Sequence, residues 1–198
     1  MKSVLISIRP EWVEKIVNGE KTIEVRKSAP KELPFKAYIY CTKDRKNLLP
    51  IEHGKVLEKV NFWENTDAYY GFGRVIGEFI CDKVYNLVNA FGGIMFADEN
   101  LNQLEPQLFR DMSCLTDNQT ADYLGNQDGY GWHISDLKIY DNPKELSEFR
   151  PICKFEGKDL ICNLCPNHEY NGGLFFECRR KVTRPPQSYM WVKELKEV

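Results

Sequence analysis

Short stretches of alternating apolar and polar residues, separated by turn residues, constrain the fold of this chain most strongly. Such stretches are typical of β-strands, because successive side chains point to opposite faces of a sheet. An amphipathic helix is predicted from Pro10 to Val17, ended by Asn18-Gly19. We therefore expect an α+β, mainly β fold, in which one or two helices pack on a small mixed β-barrel. The clearest predicted strands are residues 4–8, 22–26, 35–41, 74–84, 132–140 and 189–192.

The length of 198 residues favours a single domain spanning 1–198. Residues 85–128 and 153–178 are expected to be insertions, because neither has a firm strand period. No apolar run approaches the ~18 residues that a membrane helix requires, so no membrane association is expected. The run at residues 4–8 is too short for a signal-peptide core. We therefore expect a cytoplasmic protein.

Charge is distributed unevenly along the chain. The net charge of the whole chain is −2, whereas residues 1–60 carry +5, residues 61–149 carry −10 and residues 150–198 carry +3. Non-specific nucleic-acid binding depends on neutralising many phosphates. The net charge of −2 therefore excludes a protein that coats nucleic acid through a uniformly basic surface. A local basic cleft built from the two ends of the chain remains compatible with these numbers.

Three charged residues follow the predicted helix within six positions. Strand period two places Glu24 and Arg26 on one face, and Lys21 enters from the preceding turn. A carboxylate beside a guanidinium offers an acceptor and a donor, which suits the edge of a nucleobase, while Lys21 and Arg26 suit a phosphate. The alternative interpretation is an exposed ion pair of little energetic value on a solvated strand face.

Four of the seven cysteines lie between residues 153 and 178. Cys162-x-x-Cys165 has the spacing of a zinc knuckle, and in a reducing compartment clustered thiols more often bind a metal than form disulfides. We expect a structural zinc ion bound by Cys153, Cys162, Cys165 and Cys178, with His168 as the alternative ligand. The other interpretation is a surface insertion with unligated thiols.

The N-terminal motifs resemble the ASCH family of the PUA-like superfamily. The resemblance rests on the segment from Leu5 to Arg26, with its Gly-Glu-Lys-Thr-Ile-Glu-Val-Arg end, and on Gly-Arg-Val-Ile-Gly-Glu-Phe at residues 73–79. The segments 131–140 and 184–189 resemble a subset of mainly bacterial and phage-related members. This resemblance implies a PUA-like barrel with a cleft between the first helix and the next strand, where related domains bind RNA or a single, often modified, base.

The residues expected at this cleft are Lys21, Glu24 and Arg26, with further contributions from elsewhere in the chain. Arg9, at the helix start, is expected to contact phosphate. His133 is a candidate ligand-binding residue, although a lone histidine on a strand is more often a hydrogen-bonded structural residue. The expected ligand is RNA, a nucleotide or a modified nucleobase. The full set of candidate ligand-binding residues is Arg9, Lys21, Glu24, Arg26, Tyr40, Glu78 and His133.

Two hydrolase alternatives come from the same resemblance. Small bacterial amidohydrolases that deacetylate acetylated cytidine have a similar Gly-x-Lys-Thr-Ile-x-x-Arg segment. Lys21 matches their lysine, Glu24 stands where they have a threonine nucleophile, and Glu78 is the nearest match to their distant glutamate. Other ASCH proteins are ribonucleases, for which Lys21, Glu24, Arg26 and Tyr40 would supply acid, base and phosphate contacts. In either case Lys21 and Glu24 are the candidate catalytic residues.

A third alternative is a protein-interaction module whose working surface is the zinc-stapled, cysteine-rich insertion. Deleting residues 156–177 would then abolish partner association. The sequence identifies no protein partner.

Overall fold

The computed structural model describes residues 1–44, 49–57, 69–90, 93–125, 127–153, 168–170, 176–178 and 180–195. Its helices are α1 (Pro10–Val17), α2 (Pro106–Ser113) and α3 (Asp117–Leu124), with a short 3-10 turn at Leu146–Glu148. Its strands are β1 (Ser3–Ile8), β2 (Ile23–Arg26), β3 (Phe35–Cys41), β4 (Pro50–Glu52), β5 (Lys55–Val56), β6 (Tyr69–Tyr70), β7 (Arg74–Cys81), β8 (Val84–Ala90), β9 (Gly93–Ala97), β10 (Gly129–His133), β11 (Ser135–Lys144), β12 (His168–Tyr170), β13 (Phe176–Cys178) and β14 (Tyr189–Val192).

A five-stranded sheet forms the centre of the molecule, in the order β11-β7-β3-β1-β14. β1 runs parallel to β3, and the other pairs are antiparallel. Alternate residues of β1 and β3 enter two different cores, as the period-two pattern predicts. Val4, Ile6 and Ile39 belong to the core beneath α1, whereas Leu5 and Tyr38 belong to the core on the other face.

A second, four-stranded sheet has the order β2-β10-β8-β9, with β2 at one edge. The two sheets do not close into a barrel, so that part of the prediction is wrong. The physical reason is visible at residues 132–140, which were expected to form one strand. Here the chain passes from β10 in one sheet to β11 in the other, and Asp136 adopts a left-handed conformation with φ +47°. Among the described residues, the strands at the edges of the two sheets are not paired with one another.

The described residues include three α-helices, one more than the largest number expected. α1 is confirmed, with Pro10 at its first position and Val13 and Ile16 buried. α2 and α3 lie in the segment for which the sequence has no firm period. α3 is defined by its ends, because Thr116 and Gln119 form a capping box and Gly125 ends the helix at φ +64°.

The expected cysteine-rich insertion lies largely outside the described residues. Within it the structure gives a two-stranded hairpin, β12–β13, in which His168 and Cys178 are Cα partners. In the described part of the chain, no helix is long and apolar enough to cross a membrane.

Candidate functional site

Among the described residues, the charged side chains that are buried are Lys21, Glu24 and Arg26, which we call the buried charge cluster. Their exposed fractions are 2%, 8% and 3%. Burying a charge is unfavourable unless it is paired and hydrogen-bonded, so such groups are uncommon in a core. The alternative interpretation of an exposed ion pair is therefore excluded for these three residues.

Glu24 lies between the two cations. Its Oε1 is 3.0 Å from an Arg26 terminal nitrogen, and its Oε2 is 3.6 Å from Lys21 Nζ. Glu24 and Arg26 share the face of β2 opposite to Ile23 and Val25, which pack into the core under α2 and α3. The net charge of the cluster is +1 when all three groups are ionised.

The cations are held in place by backbone carbonyl groups from three other parts of the chain. Lys21 Nζ donates to the Ser113 carbonyl at 2.7 Å. Arg26 donates from one terminal nitrogen to the Ser7 carbonyl at 2.7 Å, and from the other to the Ser188 carbonyl at 3.2 Å. The cluster thereby connects β2 to the end of α2, to β1 and to the segment before β14.

Aromatic side chains surround the cluster. The Trp12 ring of α1 lies 5.5 Å from Lys21 Nζ, a cation–π distance. Trp132 is the Cα partner of Glu24 across β10 and β2, so the two side chains lie on one face. Partial burial raises the pKa of Tyr123, and its pKa also responds to the charges of Arg26 and Glu24. Flat aromatic rings beside donors and acceptors are what stacking of a base requires.

Burial lowers the pKa of Lys21 below its ordinary value, although the nearby Glu24 carboxylate acts in the opposite direction. A lysine in this setting loses its proton more readily than a surface lysine. The site therefore combines an ammonium group of reduced basicity, a carboxylate and a guanidinium.

Two buried N–H groups in this region have no hydrogen-bond partner among the described residues. They are Arg26 Nε and Trp132 Nε1. An unsatisfied buried donor costs about 1–3 kcal/mol. Their position beside Glu24 makes them part of the site.

Comparison with known proteins gives one family match. The family model of the ASCH domain matches residues 6–99, which include α1 and all three residues of the buried charge cluster. Residues 6–99 of this chain are thus similar to the ASCH domain. The recognition made from the sequence is thus confirmed.

The structure is similar to the crystal structure of ASCH from Zymomonas mobilis, at 19% identity and a TM-score of 0.47 over 98% of this chain and 89% of that one. Crystal structures of a Tyr-to-Phe and a Ser-to-Ala variant of that protein give 18% and 17% identity. Their TM-scores are both 0.46, over 98% of this chain and 92% and 89% of theirs. No match is found among curated proteins.

Outside the cluster, the other candidate residues of this protein are dispersed. Arg9 is exposed immediately before α1, where it lies 3.8 Å from Glu11. His133 is partly exposed at the end of β10, and its Nδ1 lies 2.7 Å from Asp82 Oδ1. His133 thus has a structural partner of its own.

Tyr40 and Glu78 lie on the opposite face of the five-stranded sheet from the core beneath α1. Tyr40 packs in the core that contains Leu5 and Tyr38. Glu78 is the Cα partner of Tyr38, and it pairs with Lys36 at 3.0 Å and accepts a hydrogen bond from Tyr140 at 2.5 Å. The structure does not bring these two residues to the buried charge cluster.

The candidate zinc ligands are only partly described. Cys162 and Cys165 lie outside the described residues, and Cys153 is a half-buried free thiol. In the described portion, no group of three or more His, Cys, Asp or Glu residues is arranged to bind a metal ion.

Several residues of the site were not identified from the sequence. Ser7, Ser113 and Ser188 contribute main-chain carbonyl groups, which carry no side-chain signal. Trp132 lies in the predicted strand 132–140 but was not among the candidate residues, and neither was Tyr123. The Arg184-Pro-Pro-Gln-Ser188 motif was the available signal for Ser188, because it contains the carbonyl group that Arg26 reaches.

Proposed function

We propose that this protein binds RNA, a nucleotide or a modified nucleobase at the buried charge cluster. The observation that carries the proposal is that the buried charges of the described chain, Lys21, Glu24 and Arg26, all converge beside one helix. Clusters of buried ionisable groups are more frequent at functional sites than elsewhere. The nearby rings of Trp12 and Tyr123 supply surfaces for stacking, and the cluster supplies both donors and an acceptor.

Arg9 extends this proposal to the phosphate of a nucleotide or RNA. Its side chain is exposed beside the first turn of α1, and its pairing with Glu11 is long at 3.8 Å. It is therefore available to a phosphate at little cost. A free nucleoside would not engage it.

Calorimetric titration and thermal shift with nucleosides, nucleotides and short RNAs test the proposal. A bound ligand raises the melting temperature as its concentration rises. We expect Lys21→Met to weaken binding by at least tenfold, and Arg9→Ala to weaken binding of RNA but not of nucleosides. Lys36→Met is the matched control, since Lys36 also pairs with a glutamate but on the opposite face of the sheet. The proposal is wrong if no member of the panel binds, or if both lysine variants weaken binding equally.

A second candidate function is hydrolysis of a modified nucleoside or RNA at the same site. The lowered pKa of Lys21, with a carboxylate oxygen 3.6 Å away, favours it because such a pair can transfer a proton. Incubation with acetylated or methylated nucleosides or RNA, followed by chromatography of the products, tests for turnover. Glu24→Gln should abolish turnover, because an amide cannot exchange a proton with Lys21. Absence of product with the unmodified chain would reject this function.

The zinc prediction stays a proposal. What supports it is that two of the expected ligands, His168 and Cys178, are Cα partners in the β12–β13 hairpin. Metal analysis of protein purified without added zinc should find about one zinc per chain, and none after Cys162→Ser and Cys165→Ser together. If the metal-free chain keeps the same melting temperature, the ion has no structural role. We also propose that the protein is cytoplasmic. The role of the cysteine-rich insertion as a protein-interaction surface is likewise a proposal.

A further inference from the structure

The buried charge cluster is closed to solvent, so a ligand reaches it only if a covering part of the chain moves. All three of its residues are buried. Among the described residues, the parts that cover its cations include α1 through Trp12, the end of α2 through Ser113, and residues 183–188, which we call the strap. Whichever of these is held least firmly gives access to the cluster.

The strap is held less firmly than either helix. α1 buries Val13 and Ile16, and α2 buries Phe109 and Ser113. Of the strap residues, all of which the structure describes, only Pro186 is buried, and most of the others are exposed. The strap forms neither helix nor strand. Segments with few buried apolar contacts and no regular hydrogen bonding are the ones that open locally.

Two side chains of the site hold the strap by its carbonyl groups. Ser7 Oγ donates to the Pro186 carbonyl at 2.7 Å, and one terminal nitrogen of Arg26 donates to the Ser188 carbonyl at 3.2 Å. Pro185 and Pro186 have no N–H group, which limits the main-chain hydrogen bonds that the strap can form. These two side-chain contacts therefore contribute much of what keeps the strap in place.

Ser7 contacts the strap and the cluster through separate atoms. Its Oγ holds the strap, whereas its main-chain carbonyl accepts a hydrogen bond from the other terminal nitrogen of Arg26 at 2.7 Å. The same nitrogen lies 3.0 Å from Glu24. Lifting the strap would thus free the guanidinium N–H that Ser188 occupies, while Ser7 and Glu24 keep Arg26 in position.

We propose that the strap is a lid over the Arg26 side of the buried charge cluster, with Ser7 Oγ as its latch. The strap lifts between two anchors, the buried Val182 and β14. An acceptor of the incoming ligand then takes the place of the Ser188 carbonyl on Arg26. This inference rests on the proposed function for what enters the site, and it adds to that function the way in.

Phenylglyoxal, which modifies guanidinium groups, measures how often Arg26 becomes accessible in the full chain, with the modified residues located by mass spectrometry of peptides. Arg9 is exposed and serves as the internal standard, so Arg26 should react more slowly than Arg9. Ser7→Ala removes the latch but keeps the carbonyl group that holds Arg26. It should speed modification of Arg26 by about two- to tenfold, the factor that corresponds to one hydrogen bond.

Ser3→Ala is the matched control. Ser3 lies on the same face of β1 as Ser7 and is buried, and its Oγ has no hydrogen-bond partner among the described residues. Its loss should leave the rate of Arg26 modification unchanged. An unchanged rate in Ser7→Ala, or equal acceleration in the two serine variants, overturns the inference.

Urea at concentrations below the unfolding transition separates lifting of the strap from global unfolding, and it does so in the unmodified chain as well. Lifting the strap exposes little surface compared with unfolding, so the rate of Arg26 modification should hardly change with urea. A rate that rises with urea as steeply as global unfolding overturns the inference, whether or not Ser7→Ala folds.

The reagent requires no bound ligand, so the inference and the proposed function fail separately. Faster Arg26 modification in Ser7→Ala supports the strap as a lid even if no nucleoside, nucleotide or RNA binds, and in that case only the proposed function is wrong. If one of these ligands binds and the modification is not accelerated, only the inference is wrong.

Discussion

Glu24 determines whether the buried charge cluster can exist in the folded protein. It is the carboxylate that both Lys21 and Arg26 contact, at 3.6 and 3.0 Å. A buried ion pair adds little net stability compared with apolar residues, but removing one partner leaves an uncompensated charge. The importance of Glu24 for stability is therefore larger than the strength of either contact.

We predict that Glu24→Ala lowers the free energy of unfolding by about 3–5 kcal/mol, because it leaves two buried cations unpaired. Urea denaturation measures this loss. Glu32→Ala is the control, since Glu32 pairs with Lys2 on the surface and its loss should cost less than about 1 kcal/mol. Similar losses in the two variants would mean that the cluster is solvated in solution.

Lys21 should give stability a specific dependence on pH. Burial lowers its pKa in the folded protein below the ordinary value of 10.5. Between the folded and unfolded pKa values the unfolded chain binds more protons, so this group makes the folded protein more stable as pH rises towards 10.5. Unfolding measured from pH 8 upward should therefore show the unmodified chain gaining stability relative to Lys21→Met. If the unmodified chain instead loses stability relative to Lys21→Met as pH rises, the pKa of Lys21 is not lowered in the folded protein.

Much of the cluster could be predicted at the residue scale, but its burial could not. Period two correctly placed Glu24 and Arg26 on one face, and the ion pair between them confirms it. The same spacing is equally compatible with a solvated strand face, because it carries no information on what packs above it. The partners that decide the matter are main-chain carbonyl groups of Ser7, Ser113 and Ser188, which any residue type could supply.

At the scale of elements, the bounds of β1, β2, β3 and β14 were predicted within one residue, whereas α2 and α3 were not predicted as whole helices. β3 matches its predicted bounds, because Phe35 to Cys41 alternates between two buried cores. The break between β10 and β11 was missed, although two consecutive polar residues, Ser135 and Asp136, interrupt the apolar–polar alternation there. For α3 the sequence predicts only a helix start at residues 120–124, because this helix depends on a capping box and a terminal glycine more than on an apolar stripe.

Gly77 is the element-scale position with the least tolerance for a side chain. A Cβ placed there would lie 2.5 Å from the Lys138 carbonyl oxygen on the neighbouring strand β11, and a backbone atom cannot move aside as a side chain can. We predict that Gly77→Ala costs about 1–3 kcal/mol and speeds amide exchange in β11.

Gly125→Ala is the matched control for that exchange measurement. A Cβ at Gly125 meets nothing within 4 Å, and its φ of +64° confines the strain to the end of α3. Changes in amide exchange caused by Gly125→Ala should be confined to α3. Unchanged β11 exchange in Gly77→Ala would show that the β7–β11 pair can shift to make room.

At the scale of the whole molecule, the family was predictable and the closure of its sheets was not. The N-terminal motifs give the ASCH match, because strand, helix, turn and strand follow within 24 residues of β1's start. Barrel closure depends on which strand edges pair, and that is decided by contacts far apart in sequence. Among the described residues, the two sheets are not joined by a ladder of main-chain hydrogen bonds. Arg26, on β2 of the four-stranded sheet, connects them through its side chain, which donates to the Ser7 carbonyl on β1 of the five-stranded sheet.

Arg26→Lys tests whether this one side chain couples the two sheets. Lysine keeps the charge but is a compact ammonium, so it cannot reach the Ser7 and Ser188 carbonyl groups and Glu24 together. We predict a loss of about 1–3 kcal/mol, from unsatisfied buried carbonyl groups. Amide exchange should accelerate in β2 and β10, while β1 and β3 stay protected. Lys36→Arg, a conservative change at an ion pair within the five-stranded sheet, should leave both sheets unaffected. Equal acceleration in both sheets would mean that they unfold as one unit, with Arg26 contributing only to global stability.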